Sequence, residues 1–187
     1  MTEMRKLIAW NLMTLDGYFE GATPWSLEFH GTVFGPELQA LSSEQLAETS
    51  LLLFGRKTYE GMASYFSSSN EPEAADMNRL PKAVISNTLA SADWNNTTLL
   101  KGDAVERVKA LKAGEGGPIY VFGSAELLAS LLAADLVDEY RLCIAPTLLG
   151  RGTPLFKTAD AQKSLELKSS RVIQNGGLLL FYGLRPA

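Results

Sequence analysis

Apolar residues along this chain fall into short continuous runs that alternate with stretches of helical spacing, a pattern that predicts an α/β protein. Runs at residues 6–13, 50–54, 81–86, 95–100 and 118–122 read as strands. The first shows little polar alternation, which suits a central strand covered on both faces. After Gly55, Tyr59, Met62 and Phe66 share one helical face. Val105, Val108 and Leu111 share another, with Asp103 as its N-cap. Leu127, Leu128, Leu131 and Leu132 form a third, capped by Ser124. Residues 27–49 look mostly helical, interrupted by Gly31, Gly35 and Pro36, and residues 67–72 read as a flexible polar loop. A longer strand is expected at 138–146 and an irregular loop at 148–154. Strands at 165–173 and 178–184 form a hairpin around Asn175-Gly176-Gly177.

Chemistry enters at the strand–helix junctions. Gly55 is followed by Arg56, Lys57 and Thr58, so two cations stand where the helix dipole is already positive. Each costs about 0.3–1 kcal/mol there. An anion bound to the free N–H groups would reverse that cost, and Gly55 lets a ligand approach the backbone. A second junction, Phe122-Gly123-Ser124-Ala125-Glu126, repeats the turn from strand to helix. Two such junctions in one short chain suggest a ligand with more than one phosphate, such as a dinucleotide. Asp16-Gly17 follows the first strand, either as a tight turn or as a polar cluster facing a ligand.

Composition narrows the classes. With 187 residues, 46% of them hydrophobic and 20% charged, the chain is expected to be one folded domain over residues 1–187. A net charge of −4 without a basic run argues against nucleic acid or an anionic membrane as partner. One cysteine, Cys143, and one histidine allow neither an intrachain disulfide nor the usual zinc ligand sets. The start has no signal-peptide pattern and no run reaches the length of a membrane span. The expectation is a soluble cytoplasmic protein without a metal. No Ser-His-Asp arrangement is visible, whereas hydride transfer from a cofactor requires no nucleophile.

Taken in order, several motifs resemble the dihydrofolate reductase-like family. The nearest likeness is the reductase domain of the bifunctional riboflavin-biosynthesis deaminase–reductase and its stand-alone relatives. The matching pieces are Thr14-Leu15-Asp16-Gly17, Pro24-Trp25, Phe54-Gly55-Arg56-Lys57-Thr58-Tyr59-Glu60, Val84-Ile85-Ser86, Gly123-Ser124, Val137-Asp138-Glu139 and Ile144-Ala145-Pro146-Thr147-Leu148-Leu149-Gly150. The resemblance implies a three-layer α/β fold, a mixed and mostly parallel sheet flanked by helices and closed by an antiparallel hairpin. It further implies NADPH lying across the sheet. Arg56, Lys57 and Thr58 would hold its phosphates, with Arg56 near the adenosine 2′-phosphate. Ser86 and Asn87 would lie by that phosphate or the ribose, and Lys101 by the adenine. Gly123, Ser124 and Ala125, with Phe122 and Glu126 beside them, would cradle the pyrophosphate. The backbone around Ala9 and Trp10, with the Asp16–Gly21 loop, would flank the nicotinamide. A homodimer is expected on the same ground.

The substrate half departs from the family. Where dihydrofolate reductases carry a pterin-binding carboxylate, five residues after the tryptophan of Pro-Trp, this chain has His30, with Glu28 the nearest acid. Where the riboflavin-pathway reductases usually carry a glutamate before the glycine pair, it has Phe122. Asp16, Glu28 and His30 are the candidate catalytic groups, His30 because an imidazole titrates near neutrality. Asn11, Trp25 and Tyr59 are candidate substrate contacts, Tyr59 with a core position as its alternative. Two functions fit. One is an NADPH-dependent reductase of a small pyrimidine- or pterin-like heterocycle. The other is a nucleotide-binding module that kept the cofactor cradle and lost catalysis.

Overall fold

An eight-stranded sheet runs through the molecule, in the order β5-β4-β3-β6-β1-β7-β10-β9. It is seen in a computed structural model that describes residues 4–157 and 162–185. The strands are β1 (Leu7–Thr14), β3 (Leu51–Gly55), β4 (Lys82–Ile85), β5 (Thr97–Leu100), β6 (Ile119–Val121), β7 (Glu139–Ala145), β9 (Leu165–Val172) and β10 (Leu178–Leu184). From β5 to β7 all neighbours are parallel; β10 pairs antiparallel with both β7 and β9. Two short strands, β2 (Tyr18–Glu20) and β8 (Thr153–Pro154), pair beside it.

Period-2 alternation sorts the strand residues into two cores. Ile8, Trp10, Leu52, Phe54, Val84, Tyr120 and Cys143 point to one side. There they meet α1 (Pro36–Glu48), α2 (Arg56–Phe66) and α3 (Pro72–Arg79) through Leu38, Leu46, Tyr59 and Met77. Leu7, Ala9, Leu53, Ala83, Ile119, Val121 and Leu142 point to the other. They meet α4 (Ala104–Ala113) and α5 (Ala125–Ala133) through Val108, Leu127, Leu128 and Leu131. Burial on both faces is why these strands read as continuous apolar runs.

Asp103 caps α4 by accepting the Glu106 N–H at 2.9 Å, and Ser124 stands at the N-cap of α5. Lys112, also in α4, is buried and donates to Leu136 O at 2.7 Å and to Asp138. Asp138 in turn accepts the Leu7 N–H at 2.7 Å, which ties α4 to the start of β1.

Three expectations are corrected. Residues 27–49 are not one interrupted helix: a 3-10 turn at Glu28–Thr32 precedes α1, which begins at Pro36. Proline suits the first helical position, where its missing N–H has no partner to lose. The same chemistry explains α3, which begins at Pro72, the last residue of the expected polar loop. The loop at 148–154 contains β8.

Candidate functional site

At the C-terminal ends of β3 and β6 the two glycine junctions abut. A Cβ on Gly55 would meet Ser124 Oγ, and one on Gly123 would come within 2.8 Å of Thr58 Oγ1 and 3.0 Å of the Phe19 ring. Gly123 has φ +52°, a conformation that favours glycine. The starts of α2 and α5 therefore face one space, and their free N–H groups add positive potential to it. β1 and β6 stop pairing after Ala9 and Val121. Asn11 fills the widening gap: its Oδ1 accepts the Gly123 N–H at 2.8 Å. That bond fixes the orientation of the amide and leaves Nδ2 buried without a partner among the described residues, in a side chain only 5% exposed.

The space is a cleft of about 1130 Å³. A site for one drug-sized ligand spans roughly 300–1,000 Å³, so this one lies just above that range. Arg56, Lys57, Thr58 and residues 122–126 line it, together with Trp10, Asn11, Trp25 and His30. Arg56 donates to Glu60 at 3.0 Å across one helical turn, a half-exposed pair of little strength. Among the described residues Lys57 is exposed and forms no ion pair. Lys157 pairs with Glu126 across the mouth.

Other sequence candidates lie elsewhere. Asp16 is exposed and outside the lining; its carboxylate accepts Thr14 Oγ1 at 2.6 Å, Leu149 N at 3.2 Å and Gly150 N at 2.8 Å. These donors, the threonine hydroxyl foremost, hold its pKa below the ordinary carboxylate value. It is a turn aspartate that moors the 149–150 loop. Glu28 is exposed and accepts Ser26 Oγ at 2.8 Å. Tyr59 belongs to the core, where its hydroxyl accepts the Trp94 N–H at 3.0 Å. Ala9 is buried in the opposite core, and Gly55 backs Ser124. Ser86 Oγ accepts the N–H groups of Thr88 and Leu89, closing a turn. Asn87 Oδ1 accepts Gly102 N at 2.7 Å, and Lys101 is exposed. These last three stand at the ends of β4 and β5, beyond the residues that line the cleft.

His30 does reach the cleft, with a change of character. Burial lowers its pKa to about 4, so the ring is neutral at pH 7 and an imidazolium donor is not populated there. Phe19 and Glu20 line the cleft too, inside the Asp16–Gly21 loop that the resemblance sets by the cofactor; the sequence reading missed Gly61 and Lys157. Of these only Gly61 leaves a signal, a glycine inside a helical pattern. The Trp25 ring occupies the space a Cβ at Gly61 would fill. Trp25 itself takes φ +65°, uncommon for a bulky residue, and its N–H donates to Glu20 Oε2 at 3.0 Å.

A mixed, mostly parallel sheet with helices on both faces and a cleft at the strand ends defines an α/β protein of dihydrofolate reductase-like fold. The chain belongs to the RibD C-terminal domain family, whose model matches residues 5–179. It is 27% identical over 185 residues to the uncharacterised protein YyaP of Bacillus subtilis (strain 168), covering 96% of this chain and 95% of that one. Its fold superposes on a diaminohydroxyphosphoribosylaminopyrimidine deaminase/5-amino-6-(5-phosphoribosylamino)uracil reductase from Thermotoga maritima with a TM-score of 0.73 and 11% identity. That match covers 97% of this chain and 57% of the other. It also superposes on an Enterococcus faecalis dihydrofolate reductase complexed with NADP(H), at TM-score 0.64, 16% identity and 97% coverage of both chains. Among the described residues no helix is long and apolar enough to cross a membrane.

Proposed function

We propose that this protein is an NADPH-dependent reductase of a small heterocyclic molecule. The observation that carries this is the meeting of Gly55 and Ser124, which brings two helix N-termini together on one cleft with Arg56, Lys57 and Thr58. The cleft fits the cofactor on its own terms. It has the volume, cations and free backbone donors for two phosphate groups, a glycine where a side chain would intrude, and an unpartnered amide donor on β1. Arg56 and Lys57 would hold the extra phosphate that distinguishes NADPH, and Ser124 and Ala125 the pyrophosphate. When bound, NADPH supplies a hydride. Trp10 and Trp25 orient a flat partner and keep water out, as a hydride acceptor requires. Solved structures of similar fold include a 5-amino-6-(5-phosphoribosylamino)uracil reductase and a dihydrofolate reductase complexed with NADP(H), which supports the same chemistry here.

A second function is favoured by two observations: His30 is neutral, and Asp16 and Glu28 lie outside the lining. That suits a module that binds NADPH without turning it over. Titration with NADPH and NADH, followed by tryptophan fluorescence, tests the shared part. Oxidation of NADPH with a panel of pterins, pyrimidines and quinones separates the two. Saturable binding that prefers NADPH, with turnover of any panel member, supports the reductase; binding without turnover supports the module. Binding of neither cofactor removes both.

A further inference from the structure

The charges of the cleft are unevenly placed. Its cations come from the start of α2 and from Lys157. Between Trp25 and Leu38 the lining is Trp25, Leu27, His30, Phe34 and Leu38, with neither a cation nor a carboxylate. Each carboxylate that does line the cleft is already engaged. Glu20 accepts Trp25 N and Thr153 Oγ1, both at 3.0 Å. Glu60 is paired with Arg56, and Glu126 with Lys157.

Two polar side chains of the lining bear on what this wall takes. Asn11 Nδ2 is a buried donor without a partner, and its orientation is fixed by the bond from Gly123 to Oδ1. The His30 imidazole makes no hydrogen bond among the described residues and, being neutral, carries one N–H donor and one acceptor nitrogen. A ligand bearing a charge at this wall would bury it unpaired, which is strongly disfavoured. A ligand presenting carbonyl oxygens would satisfy both donors, and a flat ring would find an aromatic neighbour in the partly exposed Trp25.

We propose that, beside the dinucleotide, the cleft takes an uncharged planar ring bearing carbonyl oxygens, held by the Asn11 amide and the His30 imidazole. An amidinium-type ring and a phosphorylated pyrimidine are both disfavoured. The inference rests on the reductase reading for the place of this second ligand, but its selectivity is a matter of binding and not of turnover.

Calorimetry on the full chain, with and without saturating NADP⁺, tests it with three probes. Menadione is the uncharged dione, protonated 2,4-diaminopyrimidine the amidinium, and uridine 5′-monophosphate the phosphorylated pyrimidine. Menadione is expected to bind at least tenfold more tightly than either of the others. Equal or tighter binding of a charged probe overturns the proposal, as does binding of none. If NADP⁺ itself does not bind, the reductase reading fails separately, and the ranking is taken on the free protein. Asn11→Asp keeps the acceptor for Gly123 and replaces the free donor with an oxygen. It is expected to weaken menadione at least tenfold, and an unchanged affinity overturns the role of Asn11. His30→Asp places a carboxylate in the apolar wall and is expected to reverse the preference toward 2,4-diaminopyrimidine. The wild-type ranking needs neither variant to fold.

Discussion

Trp25 sits on Gly61: the six-membered ring of its indole occupies the place of the side chain that a residue in the middle of α2 would ordinarily carry. A glycine inside a helix costs about 1 kcal/mol relative to alanine. Here that cost is exchanged for the position of an aromatic wall. Gly61→Ala is expected to move Trp25 off the helix, because overpacking of this kind costs about 1–3 kcal/mol. Tryptophan emission should shift to the red, with no gain in stability against urea. A gain of about 1 kcal/mol with unchanged emission would show that the ring does not depend on the glycine.

On the proposed reading, Arg56 tells the two nicotinamide cofactors apart. Removing it also removes an exposed pair with Glu60, worth at most about 1 kcal/mol to the fold. Arg56→Ala should weaken NADPH by roughly 1.5–3 kcal/mol, the scale of a hydrogen bond to a charged group, and leave NADH nearly unaffected. That is about a ten- to hundredfold rise in the NADPH Kd. Equal weakening of both cofactors in a fluorescence titration would detach Arg56 from the 2′-phosphate.

His30 links the cleft to pH. Its folded pKa of about 4 lies below the unfolded value of 6.5. Between those two values the unfolded chain binds a proton that the folded chain does not. Stability is therefore lost as pH falls from about 6.5 toward about 4. His30→Gln should flatten the stability profile in that window and leave it unchanged above pH 7. The ring itself should titrate near pH 4 in an NMR experiment; a midpoint near 6.5 would show that it is not desolvated.

Lys112 is a buried cation that serves the fold and not the site. Lys112→Ala would leave the Leu136 carbonyl without its side-chain donor and Asp138 with only the Leu7 N–H. Breaking a fully buried pair costs about 3–5 kcal/mol. Asp138 is 36% exposed and recovers some hydration, so roughly 2–3 kcal/mol is expected from urea unfolding. A loss below about 1 kcal/mol would make the pair a surface ornament.

How much of this was readable in the chain depends on the range of the interactions. Ser124 and Asp103 were visible as caps because a cap and its partner lie three residues apart. Arg56, Lys57 and Thr58 were visible because a helix start is a local event. Pro36 and Pro72 were misread, since a proline marks a boundary without saying on which side the helix lies. β2 and β8 are too short for any period to register. Asp16, Glu28 and Tyr59 were judged by residue type, but the direction of a side chain is settled by distant partners. For Asp16 those are N–H groups 133 and 134 positions away. The neutrality of His30 was hidden for the same reason, because burial comes from the whole tertiary structure.

The central place of β1 also sets a timetable. Its neighbours on either side, β6 and β7, arrive more than a hundred residues later, and the bonds from Gly123 to Asn11 and from Leu7 to Asp138 span 112 and 131 positions. Contacts of such separation form late, after the cost of closing a long loop. During synthesis the strand that floors the cleft must therefore wait, apolar on both faces, until most of the chain has emerged. A nascent chain halted before Ile119 carries Arg56 and Lys57 yet has no cleft to put them in, so the cleft itself marks completed synthesis and folding together.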